Sequence, residues 1–237
     1  MDIKPYQKEI FDIFKNEFKD RIKNEEPIKE IITECSNLIS EMKNKNEVDL
    51  TQRFADYLNN ISLSMDMLEK YRPSNVSKIN KNFILLALIQ YAYYCENLVT
   101  LFDKFIIANT IYNSVLLKDI KKELEKSKRK MLRYSEVKNL AFTKKKTEEN
   151  LFITDFLTAI SSKYSNYYKT IFKGRIIPHL RNAIAHNKFS LDETNQIIKG
   201  VYNPYKKQKE NIPFLRFIDL HDTIVMIYFC IVKELTR

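Results

Sequence analysis

Apolar residues recur along most of the chain at intervals of three and four, the spacing of helices that bury one face. Ile10, Phe14 and Phe18, with Phe11 and Ile13 beside them, predict an amphipathic helix over 6–23. Pro27 suits a first helical turn and opens a second helix, with Ile28, Ile31, Ile32, Cys35, Leu38, Ile39 and Met42 on one face. Asp49-Leu50-Thr51-Gln52 has the form of a capping box. It starts a third helix through Phe54, Tyr57, Leu58, Ile61, Met65 and Leu68, stopped near Pro73. From about Ser77 a longer helix is apolar nearly all round between Phe83 and Phe102, which predicts burial on several sides. Gln90 and Asn97, seven apart, mark its polar strip and read best as solvated.

Residues 151–172 give the clearest helical period, through Ile153, Phe156, Leu157, Ile160, Tyr164, Tyr167, Tyr168 and Ile171. Tyrosines at that spacing belong to a core stripe before they belong to an RNA-stacking surface. Lys173-Gly174-Arg175 ends the helix, with glycine supplying the left-handed turn. Residues 188–191 and 196–202 have local β character around Asp192-Glu193-Thr194-Asn195, which admits one small hairpin. Asp219 then caps a last helix through Ile224, Ile227, Tyr228, Ile231 and Leu235.

Composition sharpens this reading. Two glycines and six prolines in 237 residues are too few turn-formers for a many-stranded sandwich or barrel. The expected class is all-α, a helical bundle over 76–237 with an N-terminal helical extension over 1–75. Cys35, Cys95 and Cys230 lie far apart in apolar patterns, which fits thiols packed in a core within a reducing compartment. Met1-Asp2-Ile3-Lys4-Pro5 opens no signal-peptide run. The longest unbroken apolar runs, 83–89 and 224–232, fall short of the roughly 18 residues of a spanning helix. A cytoplasmic protein without a membrane partner is therefore expected.

Charge points to a partner. The chain carries a formal +10, and residues 118–146 hold twelve Lys/Arg against four Asp/Glu, so +8 sits in 29 residues. A field so localised can hold a phosphate backbone. Its candidate RNA contacts are Lys128, Arg129, Lys130, Lys144, Lys145 and Lys146.

The candidate chemistry lies in Leu180-Arg181-Asn182-Ala183-Ile184-Ala185-His186-Asn187. Pro178 starts a short helix ending near Asn187, with Ile177, Leu180, Ala183 and Ile184 as its core stripe. His179, Asn182 and His186 fall on the opposite side, and Arg181 sits about 140° from His186. Histidine moves protons near neutral pH, and guanidinium presents a fixed fork of donors to phosphate oxygens. His179 and His186 stand roughly 10 Å apart along the helix, too far to share one zinc ion, so no metal and no cofactor is expected.

This segment resembles the HEPN superfamily of helical ribonucleases, whose signature is Arg, four to six residues, then His, with a polar residue commonly after the arginine. Arg181, Asn182 and His186 occupy those positions. The resemblance implies a helical bundle that dimerises through the motif, a composite cleft cutting RNA without metal, and a toxin or antiviral role. In that scheme His186 is the general acid/base, Arg181 stabilises the phosphorane-like transition state, and Asn182 orients substrate or histidine. An antitoxin or other regulatory protein is a further implied partner. Some members carry a tyrosine two residues after the histidine that a partner enzyme modifies; Lys188 stands there instead. A second match, Arg216 to His221, has Phe217 where the polar residue belongs. The competing readings are a non-catalytic module binding RNA or nucleotides, and a helical interaction or assembly subunit.

Overall fold

The computed structural model describes residues 5–18, 24–45, 47–48, 78–103, 105–106, 125–126 and 152–237. The expected helix from Asp49 to Pro73 and the basic contacts Lys128, Arg129, Lys130, Lys144, Lys145 and Lys146 lie outside these residues.

The described chain is mostly helical, with a small antiparallel sheet. Helix α1 (Pro5–Phe18) and helix α2 (Glu26–Asn44) form where the apolar period places them. Helix α3 (Lys81–Leu101) starts later than the hydrophobic pattern suggests. Asn80 sets its origin, the side-chain oxygen accepting the Asn82 N–H at 2.7 Å. Helix α4 (Ile153–Lys163) is shorter than the single helix expected over 151–172. The chain breaks at Tyr164 (φ −125°, ψ 52°), whose ring turns into the core and whose hydroxyl bonds Glu47. One helical turn, α5 (Ser165–Tyr167), and a π-helical stretch, Tyr168–Phe172, complete that segment. Tyr164 is buried, and Tyr167 and Tyr168 pack against the core, so the three tyrosines form a core stripe as expected.

Helix α6 (Pro178–Ala185) leads into strands β1 (Ser190–Asp192), β2 (Ile197–Asn203) and β3 (Gln208–Pro213), in spatial order β1-β2-β3. The fold is thus not purely α with one hairpin. The third strand, Gln-Lys-Glu-Asn-Ile-Pro, has one buried apolar residue, Ile212, and forms because β2 offers it a pairing edge. Gly200, at φ +83°, lies where β2 carries one residue more than β3 between Ile198 and Val201, a glycine bulge that only the left-handed region accommodates.

The last helix, α7 (Phe214–Leu235), begins five residues before Asp219, so Asp219 is interior and not its cap. β3 delivers the chain into α7 directly, and the Phe214 N–H closes on the Gln196 carbonyl at 2.8 Å. Helix α7 packs against α2 and α3, and one continuous core runs from Ile10 to Leu235 through Tyr91, Tyr94 and Tyr228. Cys35, Cys95 and Cys230 are buried free thiols whose pKa burial pushes up. By length and composition α3 could cross a membrane (mean hydropathy 1.3), and 56% of its most apolar window is buried within the protein.

One expectation for α3 is overturned. Gln90 is not solvated: it is 6% exposed, with Oε1 2.5 Å from Nε2 of buried His221. The helix is buried on several sides, as its apolar pattern predicts, while Leu85, Ile89 and Tyr93 stay exposed along one line.

Candidate functional site

The site begins with how α6 is held. Ile177 precedes Pro178 and keeps an extended backbone (φ −112°, ψ 96°), as a residue before proline should. Its N–H is caught at 2.9 Å by the hydroxyl of fully buried Tyr91, which donates in turn to the Arg175 carbonyl at 2.9 Å. One phenol on α3 therefore fixes both strands of the turn that feeds α6. Leu180 and Ala183 bury the inner face, and Ile184 packs partly against the core.

The far end of α6 is stopped by its own sequence. Asn187 adopts the left-handed conformation (φ 50°) that asparagine tolerates better than most residues. The Asn187 N–H reaches the Ile184 carbonyl at 3.1 Å and the Lys188 N–H reaches Ala183 at 2.7 Å, the paired bonds of a Schellman cap. His186 occupies the C-cap position just before that turn. Its N–H bonds the Asn182 carbonyl at 3.0 Å while its ring projects outward, exposed and without a hydrogen bond to any described residue.

Arg181 is half-buried and already engaged. Its Nη1 donates to Oδ1 of exposed Asn182 at 3.0 Å, and its Nε lies 2.5 Å from Oε1 of Glu96 on α3. The second contact is an ion pair, since the Nε–H makes no aligned hydrogen bond to the carboxylate. Burial pushes the Glu96 carboxyl above its usual range, and the Arg181 charge pulls it partly back. The structure thus joins Arg181, Asn182 and Glu96 and leaves His186 apart, as the angular separation along α6 predicts.

Glu96 is the member of this group that the motif does not reveal. A signal exists nonetheless: α3 contains two charged residues, Lys81 at its start and Glu96 deep in its apolar run. A lone carboxylate in such a helix needs a cation nearby. Glu96 also falls within about 20° of exposed Leu85 and Ile89 around the helix axis, so the apolar line on α3 leads to the Arg181 contact.

His179 does not stand with His186 as an open second imidazole. It is mostly buried, with Nε2 3.2 Å from Oε2 of Glu210 on β3, and its Nδ1 is buried without a partner among the described residues. Glu210 collects Lys206 at 2.8 Å and the Asn203 amide at 2.9 Å on its other oxygen. The Lys206 contact, helped by Asn203 and His179, holds the Glu210 carboxyl down to about 2, against the smaller opposing effect of burial. A carboxylate depressed by folding adds stability above its unfolded pKa, and that increment is lost as pH falls from about 4.5 towards about 2. Thermal melts of wild type and Glu210→Gln should therefore differ at pH 6 and converge near pH 2. Curves that stay parallel over that range would exclude this role for Glu210.

The other Arg–His spacing fails on access. Arg216 is exposed, but His221 is 2% exposed and bridges Gln90 and Asp222. Among the described residues no three His, Cys, Asp or Glu side chains lie close enough to hold a metal ion. In comparisons with known proteins, the chain matches no family model, no curated protein and no solved structure.

Proposed function

We propose that the chain is a metal-independent RNA endonuclease of the HEPN type, acting as a toxin or antiviral effector. The observation that carries this reading is the exposed His186 imidazole at the end of a rigidly capped helix, one turn from an asparagine and an arginine held in a fixed pose. In the proposed reaction the His186 ring takes the proton from an RNA 2′-hydroxyl. The 2′-oxygen bonds to the adjacent phosphorus, the P–O5′ bond breaks, and the departing 5′-oxygen is reprotonated by an imidazolium. The products are a 2′,3′-cyclic phosphate and a 5′-hydroxyl. Arg181, anchored by Glu96 through Nε, offers its Nη2 edge to the charge that grows on the phosphate oxygens.

Within one chain no hydrogen bond joins Arg181 to His186, and a second copy supplies the missing half. Its proposed seat is the exposed line Leu85, Ile89 and Tyr93, which leads to the Glu96–Arg181 contact. The same separation favours one alternative, a non-catalytic module that binds RNA through Arg181 and Asn182. Purified protein incubated with RNA and excess chelator distinguishes them. Cleavage should proceed, leave cyclic phosphate ends, and stop when 2′-deoxy residues replace the ribose at the cut site. Binding without strand scission selects the module, and cleavage that needs added metal rejects the proposed chemistry.

A further inference from the structure

The tip of the β2–β3 hairpin has no part in the reading above, and its composition is unlike that of a solvated turn. Val201-Tyr202-Asn203-Pro204-Tyr205-Lys206-Lys207-Gln208-Lys209 places two tyrosines and three lysines within nine residues. Tyr202 is 53% exposed and Tyr205 is 78% exposed, so neither ring contributes much to the core. From Thr194 to Lys209 the sequence contains four lysines and no acidic residue. Two of these have charge partners, Lys199 with Asp192 and Lys206 with Glu210. Lys207 and Lys209 make no ion pair with any described residue.

The tip is also stiff. Oδ1 of buried Asn203 accepts the N–H groups of Tyr205 (3.0 Å) and Lys206 (3.2 Å), while its amide is held by Glu210. Lys207 closes the turn in the left-handed region (φ 51°). Tyr202 lies opposite Lys209 in the strand register, so their side chains share a face. Two rings presented on a preformed turn lose little entropy when something stacks on them.

The hairpin stands beside the candidate site. Glu210 on β3 touches His179 in the first turn of α6, and β2 packs against α6. The chain leaving His186 enters β1, which pairs with β2 at Ser190 and Lys199. The first turn of α6 thus lies against the part of β3 that leads out of the tip, and the chain leaving His186 joins the same sheet nearer the other end of β2.

We infer that this hairpin is a single-strand RNA platform, with bases stacking on Tyr202 and Tyr205 and phosphates on Lys207 and Lys209. Two exposed rings beside two lysines that make no ion pair with a described residue offer an unpaired strand both stacking faces for its bases and charge for its phosphates. A duplex hides its base faces and offers these rings nothing to stack on. The inference deepens the RNA reading and rests on it for the choice of polymer.

The test uses a fluorescent oligouridylate of about 12 nucleotides, within the span such surfaces cover, titrated with full-length His186→Ala protein so that the probe is not cut. Adding Tyr202→Ala and Tyr205→Ala should weaken binding about thirtyfold or more, with an unchanged melting curve because both rings are exposed. Lys207→Gln with Lys209→Gln should flatten the dependence of log affinity on log salt by about 1 to 1.5. Unchanged affinity in the double tyrosine variant overturns the inference. So does tyrosine-dependent binding to anionic lipid vesicles with no tyrosine dependence on RNA. If wild type cuts RNA but the tyrosine changes alter neither binding nor cutting, the nuclease proposal survives and the platform does not. If the tyrosines govern binding and wild type never cuts, the reverse holds.

Discussion

Replacing His186 by alanine is expected to lower RNA cleavage by about 10²- to 10⁴-fold, the usual contribution of a positioned proton-transfer group, while the melting curve stays unchanged. The second half follows from the geometry. The ring is exposed, bonds no described residue, and caps the helix through its backbone alone. Arg181→Met should also abolish cleavage, but with a cost in stability that His186→Ala lacks. It strands Glu96, a partly buried carboxylate whose pKa burial already raises. That cost is about 1–2 kcal/mol, below the figure for a fully buried pair because Glu96 keeps 38% of its side-chain surface. The two inactive variants then test whether the site is shared. In a composite dimer, a mixed pair retains one arginine and one histidine from different chains, and mixing the two proteins should restore part of the activity. No recovery after subunit exchange, with each variant still folded, would place the whole chemistry within one chain. Full activity in His186→Ala would remove the nuclease reading.

Helix positions were legible where one face is apolar and the other is not. α1, α2 and α6 fall where the period places them because burial of one stripe decides each of them. The pattern misleads where a single tertiary contact overrides the period. Tyr164 interrupts its helix because ring and hydroxyl have destinations on other segments, Phe105 and Glu47, that no local pattern records. β3 is nearly all polar and owes its conformation to a neighbour. Gln90 reads as a solvated position until His221, 131 residues away, comes to meet it. At the site the motif supplied Arg181, Asn182 and His186 but not the α3 residues behind them, because a positioning contact across two helices leaves no short-range spacing to recognise.

Those α3 contacts make the strongest structural prediction. Tyr91→Phe removes one oxygen and should cost about 2–4 kcal/mol, since the part-buried Ile177 N–H and Arg175 carbonyl each lose the partner that a fully buried phenol supplies. For a chain of this size that corresponds to a fall of roughly 4–16 °C in Tm. The ring itself stays, still packed edge-on against Phe217 at 5.8 Å, so the change reports the hydrogen bonds and not a cavity. Cleavage should suffer beyond what instability explains. Tyr91 and Glu96 are five residues apart on one helix and grip α6 at two points, its entry and its arginine. In the proposed reaction, loosening the entry lets Arg181 and His186 leave their catalytic pose without altering the proposed RNA contacts elsewhere, so kcat should fall while KM changes little. A fall in kcat at a temperature where the variant is fully folded supports this two-point grip. A variant that melts and cleaves like wild type shows that Tyr91 does not position α6.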